Sequence, residues 1–480
     1  MSEPVLELPV AAPAAEPAPA TVWDAVKEAV RGAHRHDYTA GPIGHALLLL
    51  AVPMVLEVAL ESVFAVVNVF WVGRLGPDAI ATVGLTEAMF STIYALGMGL
   101  GIGATAMVAR RIGEKQPDRA ARAAVQAIIL GVLIAIPVAL VGGGFAPALL
   151  RLMGASDAVI AIGHGYTRVL FAGNFVILLL FLINAIFRGA GDAAIAMRSL
   201  WLANLCNLAL DPLLIFGLGP FPRLGITGAA VATTLGRGVG VLYQFHRLAG
   251  EGKRFAIHKS HLRLEPQIAA TLLRLSGTGI FQILISTTSW IGLVRVVSSF
   301  GSRALAGYTV GIRIIMFAIL PAWGMANAAA TMVGQALGAR KPERAEAAVW
   351  RAGFYNLCFL GGIGALFLLF APLLVSAFTR DREVAGYATA CLRIVSAGFL
   401  FYAYGMVLTS AFNGAGDTWT PTLINLFCFW LWEIPLAWML SQYTALGPLG
   451  AFFAITIAFS TLALVSAAAF RRGRWKTRQL

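Results

Sequence analysis

Twelve apolar stretches, each long enough to cross a hydrocarbon core of ~30 Å, leave this chain few folds to choose from. They fall at 43–72, 79–109, 121–145, 158–187, 193–217, 226–248, 267–299, 304–336, 345–371, 384–412, 418–441 and 447–470. Lipid offers a backbone no hydrogen-bond partners, so segments of this length must be helices. Several exceed the ~20 residues a span requires, which predicts tilted or bent helices. Composition agrees, with 59% hydrophobic and 12% charged residues and a mean hydropathy of +0.78. The expected fold class is an all-α integral membrane protein.

A net charge of +13 invites a nucleic-acid reading, and the placement of the basic residues argues against it. Numbering the connections in order, the even ones and the C-terminal tail hold nineteen Lys and Arg, against six in the odd ones. Arg110, Arg111, Lys115, Arg119 and Arg122 crowd the second connection, and Arg471, Arg472, Arg474, Lys476 and Arg478 crowd the tail. By the positive-inside rule both termini are cytoplasmic, and lipid rather than nucleic acid is the expected partner. Residues 1–20, rich in Pro, Ala and Glu, read as a disordered tail without the basic start and apolar core of a signal peptide. Val22, Trp23, Val26, Ala29 and Val30 then repeat at helical spacing, which predicts a short interfacial helix within residues 1–40.

The chain is written twice. FRGAGD at Phe187–Asp192 returns as FNGAGD at Phe412–Asp417, 225 positions later. RIGEKQPDRA, beginning at Arg111, answers ALGARKPERA, beginning at Ala336, at the same offset, and the Gly225/Gly228 pair answers Gly447/Gly450 at 222. Two copies of a six-helix unit follow, at 41–248 and 266–470, with a linker at 249–265 and a basic tail at 471–480. Because six is even, the copies enter the membrane from the same side and are parallel repeats. In each hexamer the glycines suit a left-handed helix end, and Asp192 and Asp417 are placed to cap the next helix.

No nucleotide-binding, zinc-protease or nucleophile-elbow motif occurs, and the four cysteines lie inside spans without metal-ligand spacing. The expectation is a protein that is not an enzyme and carries no cofactor and no metal. GMGLGIG at Gly97–Gly103 sits within the second span and reads as a helix-packing surface. Chemistry is left to the acids within spans, since a carboxylate there costs ~2.5–3.5 kcal/mol or more. Glu57, Glu61 and Asn68 share one face of the first span, one turn and more beyond Pro53, which predicts a bend. Asn204, Asn207 and Asp211 share one face of the fifth. Two polar faces in one lobe predict a shared interior cavity suited to proton coupling, because burial favours a carboxyl's neutral form and an arriving cation favours its charged form. A proton moving down ~100 mV and one pH unit releases about 3.7 kcal/mol, enough to sustain a solute gradient of a few hundredfold. Glu87 and Arg313 occupy near-equivalent places in the two copies and form a candidate gate pair.

The segments ESVFAVVNVFWVGRLG (Glu61–Gly76) and NLALDPLLIFG (Asn207–Gly217), the two GAGD elbows and the two P-[DE]-R-A loops resemble the multidrug and toxic compound extrusion (MATE) transporters. Within them the chain is most similar to the prokaryotic DinF-like branch. The resemblance covers residues from about 40 to 470 and implies a V-shaped pair of six-helix lobes. It further implies alternating access and export of drugs, often organic cations, in exchange for protons or sodium. The family's coupling site then maps onto Asn68, Asn207 and Asp211, with Pro53 as the bending proline. One position departs, since Asn68 stands where the family has an acid and cannot exchange a proton near neutral pH. Asp211 couples alone, or Glu61 on the same face as Asn68 has taken over. No acid stands in the seventh span, where Gln282 and Ser286 are candidate cavity residues alongside Asn204.

The reading is therefore a secondary antiporter of the plasma (inner) membrane. It acts as a monomer, exporting cationic or amphipathic small molecules with protons, or alternatively sodium, as driver. Asp211 carries the proton, Glu61 and Glu57 assist, Asn68 and Asn207 are hydrogen-bond partners and Pro53 is the hinge. A second reading keeps the fold and makes the chain a flippase of lipid-linked precursors, which requires a cavity rich in Arg and Lys such as Arg168, Arg237, Arg274, Arg295, Arg313 and Arg393 could supply. A third is a receptor or scaffold without transport.

Overall fold

The computed structural model describes residues 21–32, 36–250 and 256–480, and among them there is no strand. The tail expected at 1–20, with Lys253 and Arg254 of the linker, lies outside the described residues. The expected interfacial helix is α1 (Val22–Arg31), begun by Thr21, whose hydroxyl accepts a hydrogen bond from the Asp24 amide at 3.2 Å. Ala25 and Ala29 of α1 are buried beneath it, while Trp23 faces outward with the Lys27 ammonium 5.7 Å from its ring centroid.

In the first lobe the spans are α2 (Ile43–Gly73), α3 (Pro77–Gly113), α4 (Pro117–Gly144) with a short α5 (Ala146–Leu152), the bent pair α6 (Asp157–Ala172) and α7 (Asn174–Ala190), α8 (Ala193–Phe216) and α9 (Ile226–Ala249). The second lobe has α10 (Pro266–Ser298), α11 (Ser302–Gly338), α12 (Pro342–Ser376) and the bent pair α13 (Arg382–Ala397) and α14 (Phe399–Gly414). There follow α15 (Trp419–Asn425), which runs through a π-helical stretch at Leu426–Glu433 into α16 (Ile434–Gln442), and α17 (Leu449–Arg471). Among the described residues nine helices are long and apolar enough to span a membrane, and the two bent pairs make eleven. The twelfth, α9, has the length, but Arg237, Gln244 and its threonines reduce its apolarity.

The duplication is written in the backbone as well as the letters. Lys115 and Arg340, 225 apart, adopt positive φ values of 57° and 58° at the matching turns before α4 and α12. The fourth and tenth spans break at Gly173 and Gly398, also 225 apart, bending by 43° and 57°. A side chain on Gly173 would collide with Thr234, and one on Gly398 would press tightly on Thr456, each threonine belonging to the last span of its lobe.

The elbows differ in detail from the sequence expectation. Gly191 and Gly416 take the left-handed conformation, at φ 87° and 79°. Gly189 and Gly414 remain helical and instead admit the backbones of Thr105 and Ala330. Asp192 stands at the start of α8 without accepting from its first amides, and Asp417 accepts from the Thr420 hydroxyl at 2.7 Å and from Arg478 at 3.2 Å.

The lobes share their first span. Ala46, Leu47, Leu50, Ala51 and Met54 of α2 are buried in the core of the second lobe, among α11, α12 and α14. Farther along, α2 packs on α8 of its own lobe. A boundary drawn at residue 41 thus assigns to one lobe a helix that both use. The basic tail is also structured: Trp475 is fully buried and stacks on Phe470, with ring centroids 4.5 Å apart. Lys476 reaches Glu346 at 2.5 Å, and Arg110 donates to the Arg478 carbonyl.

Candidate functional site

Each acid on the polar face of α2 has found an arginine. The Glu57 carboxylate lies 2.8 Å from the Arg188 guanidinium and accepts from the Asn184 amide at 3.0 Å, both on α7. Asn184 in turn accepts from Gln244 of α9 at 2.7 Å, so one buried network joins three helices. One turn along, Glu61 pairs with Arg237 of α9 at 3.1 Å and accepts from Asn204 of α8 at 2.9 Å. Arg237 also lies over the Phe181 ring, 5.8 Å from its centroid. Neither arginine was singled out as a partner from the sequence, although a buried carboxylate demands a counter-charge and both stand inside spans of the same lobe. Among the described residues Asn68 makes no side-chain hydrogen bond, and Asn204 donates to Glu61 and is absent from the lining of the cavity between the lobes.

Asp211 is different. It is 1% exposed and has no basic group within salt-bridge distance among the described residues. The Asn207 amide bridges it to α9, donating to the carboxylate at 3.3 Å and accepting from the Thr233 amide at 2.9 Å and hydroxyl at 3.1 Å. A buried carboxylate without a counter-charge is tolerated only when a proton or cation accompanies it.

Its counterpart in the second copy, 222 positions on, is Glu433, which is 2% exposed and likewise has no basic partner among the described residues. Glu433 closes the π-helical stretch of Leu426–Glu433, just ahead of Pro435, whose missing N–H relaxes the usual helical pairing. The Trp430 indole donates to the Ile285 carbonyl at 3.1 Å and Asn425 donates to Ser286 at 3.2 Å, which pins the stretch to α10. No residue pattern separates a π-helical span from an α-helical one, and the sequence reading carried the helix straight through.

Glu433 borders a cavity of about 560 Å³ between the lobes. Met98 and Phe181 supply the first-lobe wall, and Trp290, Trp323, Tyr402 and Phe429 much of the second. Gln282 and Ser286 line it, with the Gln282 side-chain oxygen buried and unbonded. Arg188 is the basic residue on this wall, and Glu57 neutralises it. Arg168, Arg237, Arg274, Arg295, Arg313 and Arg393 are absent from the lining.

The lobes meet at the end that carries the basic loops. There Gly113 of α3 packs on the Gln335 carbonyl of α11, and Gly338 of α11 packs on the Arg110 carbonyl of α3, where any side chain would overlap. Gln335 donates to the Gly189 carbonyl at 3.0 Å and Thr331 to the Arg188 carbonyl at 3.1 Å. Residues 38–40 span the same seam: the Tyr38 hydroxyl donates to Gly191 at 3.0 Å, while Arg344 and Lys341 donate to the carbonyls of Tyr38, Ala40 and Thr39. Toward the opposite end Glu87 and Arg313 are both exposed and form no ion pair with each other. Pro53 lies within α2, and Gly324 of α11 packs directly on the Met54–Val55 backbone that follows it.

A family model described as MatE matches residues 53–213 and 279–439, one block in each lobe. The chain is 27% identical over 443 residues to the probable multidrug resistance protein YoeA of Bacillus subtilis (strain 168), covering 91% of this chain and 95% of that one. It is 26% identical to the probable multidrug resistance protein NorM of Thermotoga maritima, over 90% of this chain and 93% of that one. A solved MOP superfamily transporter from Pyrococcus furiosus, described as having a binding pocket of reverse polarity that suggests a different function, superposes with a TM-score of 0.85. It is 28% identical, with 94% of this chain and 99% of that chain covered.

Proposed function

Since this multi-pass membrane protein belongs to the MatE family, we propose that it exports cationic or amphipathic small molecules by alternating access, in exchange for protons rather than sodium. The observation that carries the reading is the cavity between the lobes, walled by aromatic and Met side chains, whose lining includes one acid, Glu433, buried and without a basic partner among the described residues. Aromatic faces attract organic cations, and a buried acid without a counter-charge supplies the remaining recognition. The names of the Bacillus and Thermotoga relatives support a drug-like substrate.

Asp211 is the proton carrier in this reading. Its burial against Asn207 and Thr233, with no arginine, leaves its charge to be met by the coupling ion. Glu57 and Glu61, each paired with an arginine, hold α2 to α7, α8 and α9 and so transmit its bending at Pro53. With the basic end placed in the cytoplasm, the seam at Gly113 and Gly338 closes the cytoplasmic side, and the cavity awaits access from the other. Phosphate-bearing lipid precursors fit less well, because the arginine on the cavity wall is already occupied by Glu57.

The test is export of a cationic dye by proteoliposomes under separately imposed pH and sodium gradients. A pH gradient drives export by the wild type, Asp211→Asn loses it, and Glu61→Gln retains it in part. Full proton-driven export by Asp211→Asn refutes the assignment, and an absence of solute-dependent proton release from the wild type returns the chain to the receptor class.

A further inference from the structure

The head of α2 carries a group of side chains that the transport reading leaves unused. Glu28 of α1, His36 in the following connection and His45 of α2 each present one ligand atom, and these atoms lie within 4.8 Å of one another. The two imidazoles meet edge to face, with ring centroids 5.3 Å apart, and His45 Nε2 is 3.4 Å from Glu28 Oε2. All three residues are half-buried, and the second nitrogen of His45, Nδ1, is buried without a hydrogen-bond partner. The spacing of 28, 36 and 45 matches no metal motif. The fold assembles the group by laying α1 back along α2.

We propose that Glu28, His36 and His45 bind a divalent transition-metal ion of the zinc class, which fastens the amphipathic helix to the head of α2. Two imidazole nitrogens and one carboxylate oxygen form a donor set that suits Zn²⁺ or Co²⁺, whereas Mg²⁺ and Ca²⁺ prefer oxygen alone. Tetrahedral bonds of 2.0–2.1 Å place ligands about 3.3 Å apart, so the three side chains close inward around the ion and a water completes the set. The consequence reaches the seam between the lobes. His36 stands two residues before Tyr38, whose hydroxyl holds the first-lobe elbow and whose carbonyl is held by Arg344 of the second lobe. An ion that fixes α1, His36 and His45 together therefore braces a strap across the closed basic end. The inference stands apart from the proposed transport, since it rests on other residues and is read by binding alone.

The experiment titrates the full, untagged chain in detergent with Zn²⁺ against a chromophoric chelator, and with Co²⁺ by its visible absorption. Expected is one tight equivalent with a tetrahedral Co²⁺ band, weakened at least about tenfold in His45→Ala and in the conservative Glu28→Gln. The His258→Ala/His261→Ala double variant, altered in the linker, keeps it. Unchanged binding in both the His45 and Glu28 variants, or its loss in the linker variant instead, overturns the site, as does a wild type that takes up no Zn²⁺. A His45→Ala sample that elutes as aggregate is replaced by His36→Asn, for which the same two outcomes apply.

Discussion

Breaking the Glu57–Arg188 pair should be among the most damaging single changes available in this chain. The Glu57 side chain is 6% exposed and its partner 19%, and the charges meet at 2.8 Å. At an effective dielectric constant of 20, two unit charges at that separation attract by roughly 6 kcal/mol, much of which offsets the cost of drawing both from water. Removing one partner leaves the other buried and unpaired, which typically costs about 3–5 kcal/mol. Glu57→Leu is therefore expected to lose about that much stability, as is Arg188→Met, less whatever water in the cavity recovers for a lone guanidinium. The double variant, with no charge left to desolvate, should fall within about 1–2 kcal/mol of the wild type. Unfolding in mixed detergent micelles measures all four proteins as a double-mutant cycle. The companion cycle at Glu61–Arg237, where the acid is 34% exposed and the distance is 3.1 Å, should give a smaller coupling. Single variants that each cost under about 1 kcal/mol and add without coupling would refute the claim that the pair is a structural unit.

Other expectations follow from the seams and caps. Gly338→Val drives a side chain into the Arg110 carbonyl, an overpacking of about 1–3 kcal/mol that should shift the population toward separated basic ends. Spin labels at Arg119 and Glu343 should then report longer distances, and an unchanged distribution counts against the seam. Trp475→Ala empties a fully buried site against Phe470 and should cost about 3–5 kcal/mol, read as a lower unfolding midpoint; a shift within error means the tail is not held as described. Asp381 begins α13, and the amides of Val384 and Glu383 hold its carboxyl below the ordinary value of 3.8. Because its folded-state value is the lower one, its contribution is present above pH 3.8 and fades as pH falls through the folded value. The thermal midpoint of Asp381→Ala should accordingly converge on that of the wild type as the pH drops below about 4.

Architecture was legible because lipid enforces it locally. Span lengths, the basic loops and the 225-residue repeat are properties of contiguous sequence, and they return as helices, matched turns and matched breaks at Gly173 and Gly398. Site chemistry was legible only in half. The acids announced themselves, since each requires a reason to be in a membrane, but their partners lie 131 and 176 positions away on other helices. No periodicity on α2 could select Arg188 or Arg237 over the arginines elsewhere in the spans. On the polar faces Asn204 satisfies Glu61, while the cavity between the lobes opens on the Glu433 side. The elbows differ in a smaller way, because in the first of them Gly191 alone takes the left-handed conformation that the sequence offered to Gly189 as well.

That separation bears on how substrate and proton communicate. Asp211 and Glu433 are equivalents in the two copies, yet only Glu433 borders the cavity. A cation entering the cavity can therefore displace a proton from Glu433 by occupancy, but it can influence Asp211 only through helices. A connected route exists: Arg188 on the cavity wall holds Glu57 of α2, Glu61 one turn on holds Asn204 of α8, and α8 carries Asn207 and Asp211. The two modes separate experimentally in dye binding and dye-induced proton release by purified protein. Occupancy predicts that Glu433→Gln weakens binding of a cationic dye at least about tenfold, since a buried charge partner is worth ~1.5–3 kcal/mol, while a neutral dye of similar size is unaffected. The helical route predicts that Asp211→Asn binds dye nearly as the wild type does and releases fewer protons. If Asp211→Asn instead releases as many protons per dye as the wild type, Glu433 alone couples, and the burial of Asp211 serves the packing of α8 on α9.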